Sequence, residues 1–266
     1  MRSISIENED MKMSADSDLT GRKRWSSYYA RGYDMNRKPE IICFDADDTL
    51  WVNETFYQDI EKEYLKLMGK YVDIDTATDD IHRREIDNLE IYGYGAKGFM
   101  LSMIETALYV TEGMVISEDL NRIIEMGRGL INQDIILIEG VQETLAGLTD
   151  AGYKLIVATK GDLLDQERKL RKSGLEGYFD HIEIMSYKKS RDYEKLLGHL
   201  GVKPSEFLMV GNSMKSDILP VLKIGGNGIH IPFHTTWAHE LMEETGELEN
   251  FLEIDDIRGV LEAVVV

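Results

Sequence analysis

Residues 41–49 read Ile-Ile-Cys-Phe-Asp-Ala-Asp-Asp-Thr, an apolar run that changes at once into a polar one. The apolar part has the composition of a short buried strand. Polar residues directly after a buried strand are typical of the carboxyl edge of a parallel sheet, where ligands bind. The stretch therefore predicts a strand that delivers Asp45 and Asp47 to a binding site.

Beyond residue 140 the sequence alternates between helix-like and strand-like segments. Helices are expected at 141–151, from Asp162 through 172, at 193–200 and at 217–223, and strands at 153–158, 182–185, 207–210 and 228–231. Such alternation is typical of βαβ units, which build a parallel sheet with helices on both faces. The predicted fold class is α/β, with a doubly wound parallel sheet.

The segment between the first strand and this alternation has a different pattern. Apolar residues recur there at helical spacing, for example at Ile60, Tyr64 and Met68, and no comparable run of strands is found. The segment therefore predicts a small helical domain, inserted over the carboxyl ends of the strands.

Three regions follow from these patterns. We expect a helical cap at 53–135, an α/β core made of 39–52 and 136–266, and a polar extension at 1–38. The mixed charge of the extension favours a disordered or loosely docked segment. The alternative is a strap that packs on the domain or on a second subunit.

Polar clusters follow four of the predicted strands. They are Asp45 with Asp47, Thr159, Lys188, and Asn212 with Asp217. Because the carboxyl ends of parallel strands lie along one edge of the sheet, residues far apart in sequence can meet there in one crevice.

The first cluster has the chemistry needed for phosphoryl transfer. A carboxylate such as Asp45 can attack phosphorus and hold it as an acyl phosphate. A second carboxyl group, Asp47, can protonate the leaving oxygen and later accept a proton from water.

The second and third clusters can bind the phosphoryl group. The Thr159 hydroxyl and the backbone N–H groups of Lys160 and Gly161 are donors for its oxygens. Lys188 can offset negative charge on the nucleophile and on the phosphate.

Oxygen ligands for Mg²⁺ are also expected at this edge. Asp45, the backbone of Asp47, and Asn212 and Asp217 form the predicted metal set, and Mg²⁺ usually keeps several waters in such sites. The sequence leaves open whether Asn212 or Asp217 is the direct ligand.

These segments resemble the four motifs of the haloacid dehalogenase superfamily. Residues 44–50 resemble the first motif, residues 157–161 the second, Lys188 (five residues before Tyr193) the third, and residues 209–217 the fourth. Order and spacing agree, and the resemblance covers roughly residues 39–255. It implies a Rossmann-like core, with the helical insertion as the family's first type of cap.

The resemblance also implies an activity. An aspartate two residues after the nucleophile marks the phosphatases and phosphomutases of the superfamily, and Asp47 stands there. We therefore expect an Mg²⁺-dependent phosphatase that hydrolyses a small phosphorylated metabolite through an aspartyl-phosphate. The alternatives are a phosphomutase of the same superfamily and a non-catalytic module that binds a phosphorylated ligand or a protein.

Two positions depart from the family pattern, and a third is ambiguous. Asn212 stands where many relatives have aspartate, so it brings an oxygen ligand without a charge. Asp48 stands where many have glycine, and it could tune the metal shell or point to solvent. Lys189 is the alternative to Lys188, which the spacing to Tyr193 favours.

Residues 93–98 match the pattern G-x-G-x-x-G. No strand precedes them and they lie within the helical insertion, so a dinucleotide fingerprint is rejected. The expected structure is a bend between helices. The alternative is a cap loop over the substrate, with Tyr92, Tyr94 or Lys97 touching the leaving group.

The composition limits the kinds of partner and the cellular location that we expect. The formal net charge of -19 disfavours DNA and RNA, which such a chain repels. The single cysteine, Cys43, excludes an intramolecular disulfide and suits a reducing cytoplasm. No stretch approaches the roughly 20 apolar residues of a membrane span. We expect a cytoplasmic protein with no membrane partner, and the oligomeric state is not readable.

Overall fold

The computed structural model describes residues 38–235, 237, 240 and 248–265. The predicted polar extension therefore lies outside the described residues, apart from Lys38.

A six-stranded sheet forms the centre of the core. Its strands are β1 (Ile41–Phe44), β2 (Lys154–Lys160), β3 (His181–Met185), β4 (Phe207–Gly211), β5 (Asn227–His230) and β6 (Phe251–Glu253). Their order is β3-β2-β1-β4-β5-β6, and every neighbouring pair is parallel. The predicted doubly wound parallel sheet is confirmed.

Strand β1 lies between β2 and β4, and its register sets the position of the site. Phe44, the last residue of β1, pairs with Val157 on one side and Val210 on the other. Because the three strands run in the same direction, the residues after these positions meet at one edge. Asp45 is therefore flanked by the ends of both neighbouring strands.

Helices cover both faces of the sheet. They are α5 (Val141–Asp150), α6 (Leu163–Ser173), α7 (Ser190–Leu200), α8 (Leu219–Leu222) and α9 (Arg258–Val264). Side chains alternate along β1, so Ile42 and Phe44 join one buried apolar cluster while Ile41 and Cys43 join another. This alternation is the reason that helices are needed on both sides.

The segment after β1 folds as four helices. They are α1 (Glu54–Met68), α2 (Ile74–Tyr92), α3 (Ala96–Val110) and α4 (Ser117–Asn132). Their apolar faces form a buried cluster of their own, with Tyr64, Ile81, Met103 and Ile123 fully buried. We call these four helices the cap. Within the described residues, no helix combines the length and apolar character that a membrane crossing requires.

The structure differs from the sequence prediction near the carboxyl terminus. The helix expected at 217–223 is divided into a π-helical turn, Met214–Ile218, and the short α8. Pro220 lies in the first turn of α8, where its missing N–H costs least. Strand β6 and helix α9 were not predicted, because each is too short to show a clear period.

Asp48 joins the core to the cap. Its φ of 62° is left-handed, a conformation that glycine adopts freely and aspartate tolerates. Its buried carboxylate accepts the backbone N–H groups of Asn53 and Glu54, at 2.8 and 3.0 Å. Of the two roles considered for Asp48, pointing to solvent is wrong, because the carboxylate satisfies N–H groups at the start of α1 that have no partner within the helix. A role in the metal shell stays a prediction.

We predict that Asp48→Ala lowers the free energy of unfolding by about 1–3 kcal/mol, since it removes the acceptor for two partly buried N–H groups at the start of α1. Asp48→Asn keeps an acceptor and tolerates the left-handed backbone, so its loss is smaller. Urea unfolding measures both. Asp59→Ala is the control, because its ion pair with Lys62 is exposed. Equal stability of Asp48→Ala and this control would contradict the capping role.

Candidate active site

Lys188 lies at the centre of the site. Its side chain is only 1% exposed, and Nζ donates to Oδ1 of Asp45 and, at 2.7 Å, to Oδ1 of Asp217. A buried ammonium is stable only when charged acceptors surround it. Lys188 thus links the residue that follows β1 to the π-helical turn that follows β4, through two carboxylates.

The charges of this cluster depend on one another. Burial raises the pKa of Asp45 to about 7, although Lys188 opposes the shift. Burial alone would lower the pKa of Lys188, but Asp217 and Asp45 outweigh it and raise that pKa above its ordinary value. The ammonium therefore stays charged, and it favours the carboxylate form of Asp45.

The structure separates the two adjacent lysines. Lys188 enters the buried cluster, whereas Lys189 is exposed and its Nζ lies 4.9 Å from the centre of the Tyr187 ring. Helix α7 follows at once, and its buried Tyr193 donates to the backbone oxygen of Ser216 at 3.1 Å. That bond ties α7 to the π-helical turn that carries Asp217.

Asp217 has both carboxylate oxygens engaged. Oδ1 accepts from Lys188, and Oδ2 accepts the backbone N–H of Ser213 at 3.0 Å. Gly211 leaves room for this carboxylate, because a Cβ there would overlap it. In this arrangement Asp217 orients Lys188.

Thr49 brings two further oxygens together. Its Oγ1 lies 3.3 Å from Oδ2 of Asp45 and 3.3 Å from Oδ1 of Asn212. Oγ1 also accepts the backbone N–H of Asn212 at 3.1 Å. A hydroxyl has one hydrogen, so it can donate to only one of the two oxygens at a time.

This pair of oxygens fits a hard cation. Carboxylate and amide oxygens are ligands that Mg²⁺ accepts, and a cation would serve the oxygen that Thr49 leaves without a donor. Within the part of the chain that the structure describes, no three His, Cys, Asp or Glu side chains are grouped as a metal site. The amide of Asn212, backbone oxygens and water would therefore have to complete the shell.

Three donors surround the carboxylate of Asp47. Trp51 Nε1 donates to Oδ1 at 2.8 Å, Gln166 Nε2 to Oδ2 at 2.8 Å, and Lys169 Nζ to Oδ1 at 3.0 Å. Trp51 lies on the same loop as Asp47, whereas Gln166 and Lys169 come from α6. The carboxylate is thus oriented by two parts of the core.

Thr159, Lys160 and Gly161 lie where β2 ends. The Thr159 hydroxyl is buried and has a long contact of 3.3 Å to the backbone oxygen of Lys160. Gly161 has a φ of 136°, which favours glycine, and the chain turns there toward α6. These residues border the same cavity as Asp45 and Lys188.

The Lys160 side chain is held by an acidic partner. Its Nζ donates to Oε1 of Glu240 at 2.6 Å and to Oγ of Ser216 at 2.9 Å. Ser213 and Ser216 both donate to Oε2 of Glu240. Burial would raise the pKa of Glu240, but Lys160 and the two serines lower it to about 2.

The cap closes the other side of the cavity. Tyr57, Tyr94 and Phe99 contribute to its lining. Gly93 ends α2 and Gly95 precedes α3, so the glycine-rich stretch is a break between helices. The expected bend between helices is confirmed, and the bend places Tyr94 in the cavity lining, whereas its contact with a leaving group stays a prediction.

Tyr92 and Lys97, the other two residues considered for contact with the leaving group, do not line the cavity. Tyr92 is exposed and donates to Glu105, and Lys97 pairs with Asp162 of the core at 2.9 Å. A Cβ at Gly95 would stand 3.3 Å from the backbone N of Asp162, so the cap approaches the core closely there.

Sequence reasoning missed Gln166, Lys169 and Glu240. For the first two a signal existed, because they lie three residues apart on α6, on the buried side that also carries Leu170. Polar residues on the apolar face of a helix need buried partners. Glu240 gave no signal, since no helix or strand was predicted around it.

The fold and this site define a class: an α/β protein with a helical cap and paired aspartates at the carboxyl end of the central strand. A family model described as haloacid dehalogenase-like hydrolase matches residues 39–225. The chain belongs to that hydrolase family, as its four motifs predicted.

Similar proteins agree with this assignment. A haloacid dehalogenase-like family hydrolase from Xanthomonas campestris, known from a crystal structure, is 36% identical with a TM-score of 0.77, over 86% of this chain and 91% of the other. A glyceraldehyde 3-phosphate phosphatase of Pyrococcus furiosus is 24% identical over 199 residues, which are 71% of this chain and 79% of that protein. The phosphatase of the same name from Methanocaldococcus jannaschii is 27% identical over 198 residues, 69% of this chain and 81% of that protein. These names support the predicted phosphohydrolase.

We predict that Gly211→Ala destabilises the protein by about 1–3 kcal/mol, because the added methyl group displaces the Asp217 carboxylate from Ser213. Thermal unfolding measures the loss. Gly198→Ala is the matched control, since it lies exposed in α7 with open space around it. It should leave stability unchanged or raise it slightly. If both variants unfold alike, the close approach at Gly211 is not required.

Proposed function

We propose that the protein is an Mg²⁺-dependent phosphatase that hydrolyses a small phosphorylated metabolite through an aspartyl-phosphate on Asp45. One observation carries the proposal. The Asp45 carboxylate lies at the end of the central strand, beside the buried Lys188 cation, and a second carboxyl group follows two residues later.

The reaction has two steps in this proposal. In the first, an oxygen of Asp45 attacks phosphorus, and the bond from phosphorus to the leaving oxygen breaks as Asp47 gives that oxygen its proton. In the second, Asp47 takes a proton from water while the water oxygen attacks phosphorus. Phosphate departs and Asp45 is regenerated as a carboxylate.

The phosphoryl oxygens need donors at the edge of the sheet. In the proposal, the Thr159 hydroxyl and the backbone N–H groups of Lys160 and Gly161 bind them, and Lys188 offsets their charge. The Lys160 side chain is already paired with Glu240. Its role is therefore to fix the loop that carries those N–H groups.

The proposed metal site uses Asp45 and Asn212, with the backbone oxygen of Asp47. Mg²⁺ would supply positive charge next to the nucleophile and the phosphoryl oxygens. Asp217, the fourth residue of the predicted set, binds Lys188 with one oxygen and the Ser213 N–H with the other, and like Asp45 it keeps lone pairs that a cation could use.

The substrate is proposed from the relatives. The relatives named glyceraldehyde 3-phosphate phosphatase make that compound the first candidate. Cytoplasmic location remains a prediction of the sequence.

We predict that Asp45→Asn abolishes phosphate release and that Asp47→Asn lowers kcat about 10²- to 10⁴-fold, as expected for loss of a general acid and base. The assay measures phosphate from glyceraldehyde 3-phosphate and from para-nitrophenyl phosphate, with and without Mg²⁺. Asp59→Asn is the control, since Asp59 is exposed on α1.

The outcomes separate the candidate functions. An isomerised sugar phosphate without free phosphate would favour the mutase. Absence of turnover on a wider panel of phosphorylated metabolites would favour the binding module. Full activity of Asp45→Asn would contradict the mechanism.

We predict that Asn212→Asp lowers the Mg²⁺ concentration needed for half-maximal activity several-fold, because a carboxylate adds a charge where the amide has none. The Mg²⁺ dependence of phosphate release measures the change, and magnesium titration calorimetry gives the affinity directly. Asn121→Asp adds the same charge on the exposed side of α4 and should have no effect. Unchanged Mg²⁺ affinity in Asn212→Asp would remove Asn212 from the metal shell.

A further inference from the structure

We propose that Lys169 is a positioning residue that couples the orientation of the Asp47 carboxylate to the position of the cap on the core. This inference rests on the proposed phosphatase function. Lys169 belongs to α6 of the core, yet its side chain reaches the point where the chain leaves the core for the cap.

The contacts of Lys169 define this coupling. Its Nζ lies 3.0 Å from Oδ1 of Asp47 and 2.7 Å from Oδ1 of Asn53, and the side chain is 8% exposed. One donor group thus contacts both the proposed acid/base and the residue that precedes α1. Within the described residues, no other lysine or arginine side chain donates a hydrogen bond to Asp47.

Asn53 is available for this contact because another residue caps the helix. Asparagine at the start of a helix usually accepts a backbone N–H of the first turn. Here the Asn53 side chain makes no such bond, and Asp48 accepts the N–H groups of Asn53 and Glu54 instead. The amide oxygen of Asn53 is directed to the core lysine.

Because Lys169 is buried, the loss of either of its acceptors costs free energy. A buried ammonium that loses an acceptor leaves hydrogen-bonding capacity unsatisfied, which is unfavourable. If α1 moves away with Asn53, Lys169 keeps only Asp47 and water as acceptors, and its position is no longer fixed. The orientation of the Asp47 carboxylate therefore depends on where the cap lies.

The consequence is specific to the step that needs a proton. Departure of an alkoxide-like leaving group depends on a positioned acid, whereas the para-nitrophenolate group leaves without much assistance. Loss of a positioning residue for Asp47 should lower the rate of the first step for substrates with an alkoxide-like leaving group. The rate for para-nitrophenyl phosphate should change little. A merely structural lysine would slow both.

The test measures the single-turnover rate of the first step with glyceraldehyde 3-phosphate and with para-nitrophenyl phosphate. Lys169→Met should lower the first rate about 10- to 100-fold and the second by no more than about 3-fold. Lys169→Arg should restore part of the loss. Asn53→Ala should also lower the rate with glyceraldehyde 3-phosphate relative to the rate with para-nitrophenyl phosphate, because it removes the acceptor on the cap side. We call this quotient the ratio of rates.

Lys172→Met is the matched control. Lys172 also lies on α6, and its Nζ donates to the backbone oxygens of Asn132 and Gln133, where the last cap helix ends. It does not contact Asp47. The variant should leave the ratio of rates unchanged. In the Asp47→Asn background, Lys169→Met should add no further loss, since residues that act through one another are not additive.

Several results would overturn the inference. They are equal loss on both substrates in Lys169→Met, full additivity with Asp47→Asn, or a normal ratio in Asn53→Ala. If Lys169→Met does not fold, as judged by thermal unfolding, Asn53→Ala and Lys169→Arg decide the question. Absence of phosphate release by the wild-type protein would overturn the proposed function itself, and this inference with it.

Discussion

The buried ammonium of Lys188, held between the carboxylates of Asp45 and Asp217, is the interaction on which the rest of the site depends. None of the three charges could be buried alone, and removing one partner from such a cluster typically costs about 3–5 kcal/mol. The constraint extends outward, since glycine at 211 makes room for Asp217 and Ser213 binds its second oxygen. Two neighbouring strands must therefore end in register for the cluster to form.

A second charged contact, at the entrance to the cap, follows the same logic. Asp48 caps the first cap helix and Lys169 contacts both Asn53 and Asp47. The chain thus leaves the core through a loop whose polar groups are satisfied by the core itself. This arrangement places Asp47, the proposed acid/base, at the junction of the core and the cap. A change in the position of the cap would therefore alter its contacts.

Much of this was predictable from the sequence, for physical reasons. A buried strand that ends in Asp45 and Asp47, and strand-helix alternation after residue 140, specify a parallel sheet and its functional edge. Glu240 could not be placed, because its role depends on which loop packs over the site and not on a local period. The position of Lys169 on the buried side of α6 indicates that it needs a buried partner, but only the fold shows that the partner is Asp47. The capping role of Asp48 was missed for a related reason, since a left-handed aspartate and a helix that begins six residues later are linked only by the fold.

The central claim is that Asp45 carries the phosphoryl group. It is tested most directly by acid-quenching the protein during turnover of a phosphorylated substrate and mapping the modified peptide by mass spectrometry. The account predicts one phosphoryl group on the peptide that contains Asp45, and none when hydroxylamine, which cleaves acyl phosphates, is added after the quench. Phosphate release without any label on that peptide, or a label that maps to a different side chain, would contradict it.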